Sequence, residues 1–239
     1  MSSAQRAVSV VTGANRGLGF AVARQLLEHG AHVVLTARDA RAGRAAADLL
    51  NANGGDVEFH PLDVEDSGSV RDLGAFLTQR YAHVDLLVNN AGAHPEGDGS
   101  AMNVSATAMM QAFNVNCLGA LRVSQELFEL LKRSAAGRIV NVSTLLASPS
   151  HMDQFPGQFF AYRIAKSALN TVTAGMAVEL RPLGISVNAV HPGWLNTRMG
   201  GPSAPLSAEE GAASVVHVGL RVENSISGRL FAHTEECSW

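Results

Sequence analysis

No run of eighteen apolar residues occurs in this chain, so no membrane-spanning helix is expected. Charge of one sign is also missing. The 18 basic and 21 acidic residues leave a formal net charge of −3, and no long basic stripe offsets it. That balance argues against nucleic acid or an anionic membrane surface as a partner. Cysteine is scarce: Cys117 and Cys237 stand far apart, and reduced thiols in a cytoplasm are a simpler reading than a disulfide. Cys237 falls one place too late for a prenylation box. Residues 1–7 are short and polar, with no signal-peptide pattern and no acylation motif, so a cytoplasmic protein is expected. The nine histidines lack paired spacing with cysteine or carboxylate, which predicts no metal site.

What is present is a globular composition, 46% hydrophobic and 16% charged, with 23 glycines spread along 239 residues. Apolar, β-branched runs at 7–12, 32–36, 57–62, 84–89, 137–143 and 185–190 read as buried strands, with a last strand near 229–232. Between them, apolar residues recur at helical spacing. Leu18, Val22, Leu26 and Leu27 mark a helix over 17–29 that Gly30 terminates. Further helices are expected up to about residue 52 and over 70–81, 104–133 and 160–180. Ser207 with Glu210 three residues on forms a capping box, which starts a short helix running to about 219.

Strands alternating with helices predict an α/β fold: a doubly wound parallel sheet of the Rossmann type with helices on both faces. No linker, repeat or low-complexity run divides the chain, so 1–239 is expected to be one domain. The Pro- and Gly-broken stretch after the sixth strand predicts a mobile substrate lid at about 192–219.

The first strand–helix turn reads Thr12-Gly13-Ala14-Asn15-Arg16-Gly17-Leu18-Gly19. Glycines at such a turn let backbone N–H groups approach a pyrophosphate at the helix N-terminus. The spacing differs from the commonest dinucleotide fingerprint, and alone it is a weak signal. At the end of the second strand, where an acidic residue favours NAD, stand Ala37 and Arg38. Arg16 is a second cation and Asp39 the one opposing charge. Two guanidinium groups suit a 2′-phosphate, which predicts NADP(H). Tyr162 and Lys166 stand at i and i+4 on a helix and so share a face. An ammonium at that position is expected to lower the phenol's pKa into working range.

Thr12-Gly13-x-x-x-Gly17-x-Gly19 resembles the opening of the short-chain dehydrogenase/reductase family. The family's other marks follow in order: Asp63-Val64, Asn89-Asn90-Ala91-Gly92, Asn116, Tyr162-x-x-x-Lys166 and Pro192-Gly193. The similarity covers nearly the whole chain. It implies an NADPH-dependent reductase, of the carbonyl-reductase kind, that turns a ketone or aldehyde into an alcohol or runs the reverse. It also implies that Tyr162 exchanges the alcohol proton and that Lys166 holds the nicotinamide ribose. By the same resemblance Asn116 would sit at a helix kink and order a water, and Asn90, Ala91 and Gly92 would line the cofactor through backbone contacts. Gly13, Asn15, Arg16, Gly17, Leu18, Gly19, Arg38, Asp63, Val64, Pro192, Gly193 and Thr197 complete the expected cofactor set. The hydroxyl that polarises the carbonyl falls on Thr144 in the family's register, with Ser143 the second choice.

The interval from Thr144 to Tyr162 is longer than the family's common one, so 148–157 is expected to bulge at the rim of the substrate pocket. Phe155, Trp194, Leu195, Met199 and Leu206 in the expected pocket walls suggest an apolar small-molecule carbonyl substrate, while Gly200-Gly201 suggests a closing lid. Trp194 reads equally as pocket wall or packing residue. His94 and His151 fall at the expected pocket mouth by position alone. The apolar faces of the 104–133 and 160–180 helices are compatible with a homodimer or homotetramer. Two rivals stay open: an epimerase or dehydratase on the same scaffold, and a non-catalytic NADP(H) sensor.

Overall fold

A computed structural model describes residues 6–239; most of the polar N-terminal stretch, 1–5, lies outside the described residues, as does that part of the expected single domain. Seven strands run parallel: β1 (Val8–Val11), β2 (His32–Ala37), β3 (Val57–Pro61), β4 (Leu86–Asn89), β5 (Arg138–Val142), β6 (Ser186–His191) and β7 (Leu230–Ala232). An eighth, β8 (Glu235–Cys237), pairs antiparallel with β7. The sheet order is β3-β2-β1-β4-β5-β6-β7-β8. The chain therefore reverses its winding between β1 and β4, and a crevice opens above their carboxyl ends.

Helices α1 (Gly17–Glu28), α2 (Ala40–Ala52) and α8 (Ala208–Leu220) cover one face. Helices α3 (Ser67–Arg80), α5 (Gly119–Glu126), α6 (Phe128–Lys132) and α7 (Phe160–Leu180) cover the other. The pleat of β1 divides its valines accordingly: Val8 and Val10 enter the α3–α7 core, and Val11 the α1–α2–α8 core. With both faces covered, the strands lack the polar alternation of a half-exposed sheet. No helix among the described residues is long and apolar enough to cross a membrane.

Three expectations change. The helical region expected at 104–133 is broken: α4 (Ala106–Phe113), capped by Ser105, leads into a π-helical turn at Asn114–Leu118 before α5 and α6. The Asn116 side chain donates to the Ala112 carbonyl, its own i−4 acceptor, and so competes for the bond that a regular α-helix would use there. The strand β8 was not expected, because Glu235 and Glu236 carry no strand signal and suit a charged sheet edge.

The range expected for a lid also divides. Residues 194–206 close on themselves through the Leu195–Leu206 bridge and the Asn196 N–H bond to Leu206 O at 2.7 Å. Helix α8 instead buries Ala212, Val215 and Val218 against the α1 side of the core and belongs to the body of the fold.

Candidate active site

The glycine turn rests on Thr12. Its Oγ1 accepts the N–H groups of Asn90 at 3.0 Å and Ala91 at 2.9 Å, tying β1 to the loop after β4. Asn90 returns the tie, with Nδ2 donating to Thr12 O at 2.8 Å and Gly13 O at 3.1 Å. Its amide therefore shapes the turn. Gly13 has φ +64°, and a Cβ there would lie 3.0 Å from Ala91 Cα. At Gly19 a Cβ would lie 2.4 Å from Asn90 Nδ2 and 2.7 Å from Gly13 O, so no side chain fits. Pro192 and Gly193 follow β6, and a Cβ on Gly193 would meet Leu206 Cδ1 at 2.4 Å. Thr197 lies beside the turn: a Cβ on Gly17 would be 3.5 Å from its Cγ2.

These residues fit a bound dinucleotide. No side chain caps the N-terminus of α1 and no acidic residue occupies its first turn, which leaves its amide donors for an anion. Asn15, Arg16 and Leu18 stand in that opening, with Arg16 exposed. The end of β2 carries buried Ala37 and exposed Arg38. Asp39, the opposing charge, caps α2 by accepting from Arg41 N–H and Ala42 N–H. Its carboxylate is thus engaged by its own helix. Arg38 lies 3.7 Å from Glu65, an exposed pairing that does little to hold it. Asp63 Oδ1 accepts from Glu65 N–H at 3.0 Å, and Val64 is buried.

Lys166 is the hub of the remaining residues. It is buried on α7, donates from Nζ to Val142 O at 2.6 Å, and lies 5.9 Å from the centre of the Tyr162 ring. A Cβ on Gly92 would stand 3.8 Å from the same Nζ and 2.8 Å from Asn116 Oδ1. Asn116 is buried in the π turn, where Oδ1 accepts Ala93 N–H at 3.1 Å and Nδ2 donates to Ala93 O at 2.8 Å. Its side chain thereby fixes the loop after β4. Ser143 and Thr144 separate clearly. Ser143 Oγ donates to Asn170 Oδ1 at 2.5 Å, so its proton is engaged within the protein. Thr144 Oγ1 accepts Leu146 N–H at 3.2 Å, and its own proton has no acceptor among the described residues.

The expected effect of Lys166 on Tyr162 is overturned. Burial pushes the Tyr162 phenol up to about 12 and the Lys166 ammonium down to about 8. In this enclosed crevice, loss of hydration sets both directions. The phenol is consequently a protonated group at neutral pH.

Asp98 and Arg163 escaped sequence reasoning, whereas Trp194 and His94 were expected near the site by position alone. Asp98 accepts Ala161 N–H at 2.8 Å and Tyr162 N–H at 3.1 Å, capping α7 from a loop more than sixty positions away. The residue at the N-cap position, Phe159, supplies no side-chain cap and holds φ at 59°. Arg163 is buried and donates to the carbonyls of His151 and Gln154, organising the extra chain before α7. Trp194 is 45% exposed and packs locally: its Nε1 donates to Gly200 O, and its ring meets Phe155 edge-on at 5.8 Å. His94 packs on Tyr162 with ring centres 4.3 Å apart. The Asp98 and His94 contacts join segments more than sixty positions apart, which no local pattern reveals.

A glycine cradle at the β1/β4 switch point, with a buried lysine and a tyrosine one helical turn apart beside it, defines a nucleotide-dependent dehydrogenase fold and site. A family model described as short chain dehydrogenase matches residues 7–206, and the chain belongs to that family. In particular, it is similar to carbonyl reductase (NADPH) 1. The Macaca fascicularis protein of that name is 34% identical over 255 residues, covering 89% of this chain and 90% of the relative. The Homo sapiens protein gives the same identity and coverage, 34%, 89% and 90%. Among solved structures, NADPH-bound carbonyl reductase from chicken fatty liver superposes with a TM-score of 0.89 at 26% identity, covering 98% of this chain and 100% of that one. Salutaridine reductase from Papaver somniferum gives a TM-score of 0.82 at 27% identity, covering 95% and 99%.

Proposed function

We infer that this chain is an NADPH-dependent oxidoreductase that reduces a ketone or aldehyde carbonyl to an alcohol, or runs the reverse. The reading follows its relatives' names and rests within the chain on one observation: buried Lys166 ties the end of β5 to the Tyr162 ring. Gly13, Asn15, Gly17, Leu18 and Gly19 would hold the pyrophosphate at the start of α1, with Arg16 and Arg38 on the 2′-phosphate. Asp63, Val64, Asn90, Ala91, Gly92, Pro192, Gly193 and Thr197 would line the rest. When bound, NADPH supplies the hydride.

The protein's own part is orientation and proton handling. Thr144 Oγ1 accepts Leu146 N–H, and its own proton would go to the carbonyl oxygen. Tyr162, held protonated by burial, gives that oxygen its proton. Lys166, cationic below about pH 8, stabilises the phenolate left behind. Asn116 positions the loop after β4 through Ala93. A protonated phenol is the form that the reductive step requires.

Residues 194–206 form the substrate lid, with the apolar surfaces of Phe155, Trp194 and Met199 facing an apolar substrate. Exposed Met110 on α4 and Val178 on α7 suit a homodimer or homotetramer, and the paucity of cysteine suits a cytoplasm.

The test is NADPH absorbance loss over a panel of ketones, quinones and aldehydes, with Tyr162→Phe as control. Turnover should fall at least a hundredfold in the variant, with NADPH binding retained. Undiminished turnover in Tyr162→Phe would refute the assignment. Tight NADPH binding with no turnover on any carbonyl would favour the sensor reading.

A further inference from the structure

His94 is held at the active site from two sides. The residue before it, Ala93, exchanges two hydrogen bonds with Asn116, at 3.1 and 2.8 Å. Four positions later, Asp98 caps α7 through Ala161 and Tyr162. Between these anchors the imidazole packs on Tyr162 with ring centres 4.3 Å apart, and on Phe159 at 5.0 Å. So placed, it borders the phenol that handles the substrate's oxygen.

Its two nitrogens differ. Nδ1 is enclosed and has no hydrogen-bond partner. Nε2, by contrast, is not among the enclosed unpartnered atoms of the described residues. An orphaned buried N–H is rarer than an orphaned lone pair, so the lone pair belongs on Nδ1 and the proton on Nε2. Burial and the neighbouring Lys166 ammonium both keep the ring neutral, against the opposing pull of Asp98. Nε2 is then the single donor on a ring that packs against the Tyr162 phenol.

We propose that His94 is a specificity-determining residue whose Nε2–H binds a second oxygen of the substrate, adjacent to the carbonyl being reduced. The preferred substrates are therefore carbonyl compounds with a neighbouring acceptor oxygen, such as vicinal dicarbonyls, in place of simple ketones. Hydrophobic walls alone discriminate weakly between such pairs, whereas a hydrogen bond made to one and absent from the other discriminates well. The proposal rests on the reading of Tyr162 as the proton donor.

The experiment compares acetylbenzoyl with propiophenone, which has a methylene in place of the second carbonyl. Wild type, His94→Phe and His94→Gln are each assayed for kcat/KM with NADPH. His94→Phe keeps an aromatic ring on Tyr162 and removes the donor; His94→Gln keeps a donor. Selectivity for acetylbenzoyl over propiophenone should fall about tenfold in His94→Phe, with much of it retained in His94→Gln. Comparing variants on one substrate pair cancels the intrinsic reactivity of the diketone. NADPH fluorescence titration checks that each variant still folds and binds.

Equal losses on both ketones in His94→Phe would overturn the proposal, leaving His94 a packing residue. So would wild type that turns over neither ketone or does not favour the diketone. Tyr162→Phe separates the two levels: if it stays active, the proton-donor reading has failed; if it is inactive while selectivity ignores His94, only this proposal has.

Discussion

Asp98→Ala removes a carboxylate that accepts two backbone N–H groups at the start of α7, from Ala161 at 2.8 Å and Tyr162 at 3.1 Å. Among the described residues no other side chain caps this helix, and Phe159 at the N-cap position supplies none. Losing a side-chain cap costs about 1–2 kcal/mol. The negative charge also opposes the positive end of a 21-residue helix, although partial solvent access reduces that share. For a chain of this size each kcal/mol lowers Tm by roughly 2–4 °C. A drop of about 2–8 °C is therefore expected in a thermal melt without cofactor.

Function should suffer separately, because one of the two freed amides belongs to Tyr162 itself. Loosening that turn misplaces the phenol, so kcat should fall by about tenfold or more while the KM for NADPH changes little. Asp98→Asn keeps one acceptor oxygen and should fall between wild type and alanine in both assays. If Asp98→Ala melts within a degree of wild type and turns over normally, water replaces the carboxylate without cost, and the cap does not position Tyr162.

Two further results are expected. Gly19→Ala should weaken NADPH binding at least tenfold in a fluorescence titration, since its Cβ would sit 2.7 Å from Gly13 O and force the turn open; unchanged affinity would refute the cradle. Reductive kcat/KM should decline as pH rises through about 8, where Lys166 loses its proton, and well below the Tyr162 value of about 12. Over the same range Lys166 raises stability: between about 8 and its ordinary 10.5 the unfolded chain binds more protons, so folding gains as pH rises. Melting curves across that range separate the two effects, and a decline that begins only above pH 10 would refute the assignment to Lys166.

The order of strands and helices is legible in the chain because buried parallel strands are apolar throughout and glycine or capping residues bound the helices. Helix α7 spans the expected 160–180, and the Ser207–Glu210 capping box opens α8 as its spacing requires. The glycine turn is legible for a related reason: positive φ and close backbone approach at Gly13 and Gly19 leave glycine the residue that fits. Arg38 without an acidic residue at the end of β2 belongs with these, being chemistry written at one position.

Other features were decided by residues meeting across the fold. Asn116 breaks the helix at 114–118 while binding Ala93, a segment 23 positions back. Asp39 reads in the chain as a charge opposing phosphate, yet its carboxylate is engaged by α2. Ser143 gives its proton to Asn170 on a neighbouring helix, a contact that spacing along the chain does not report. The sign of the Tyr162 shift depended on burial, which spacing along a helix does not report. Periodicity and turn chemistry act within a few residues, so sequence carries them. Dehydration, capping from afar and the contact of His94 with Tyr162 arise only after the sheet has drawn the ends of β4, β5 and β6 together.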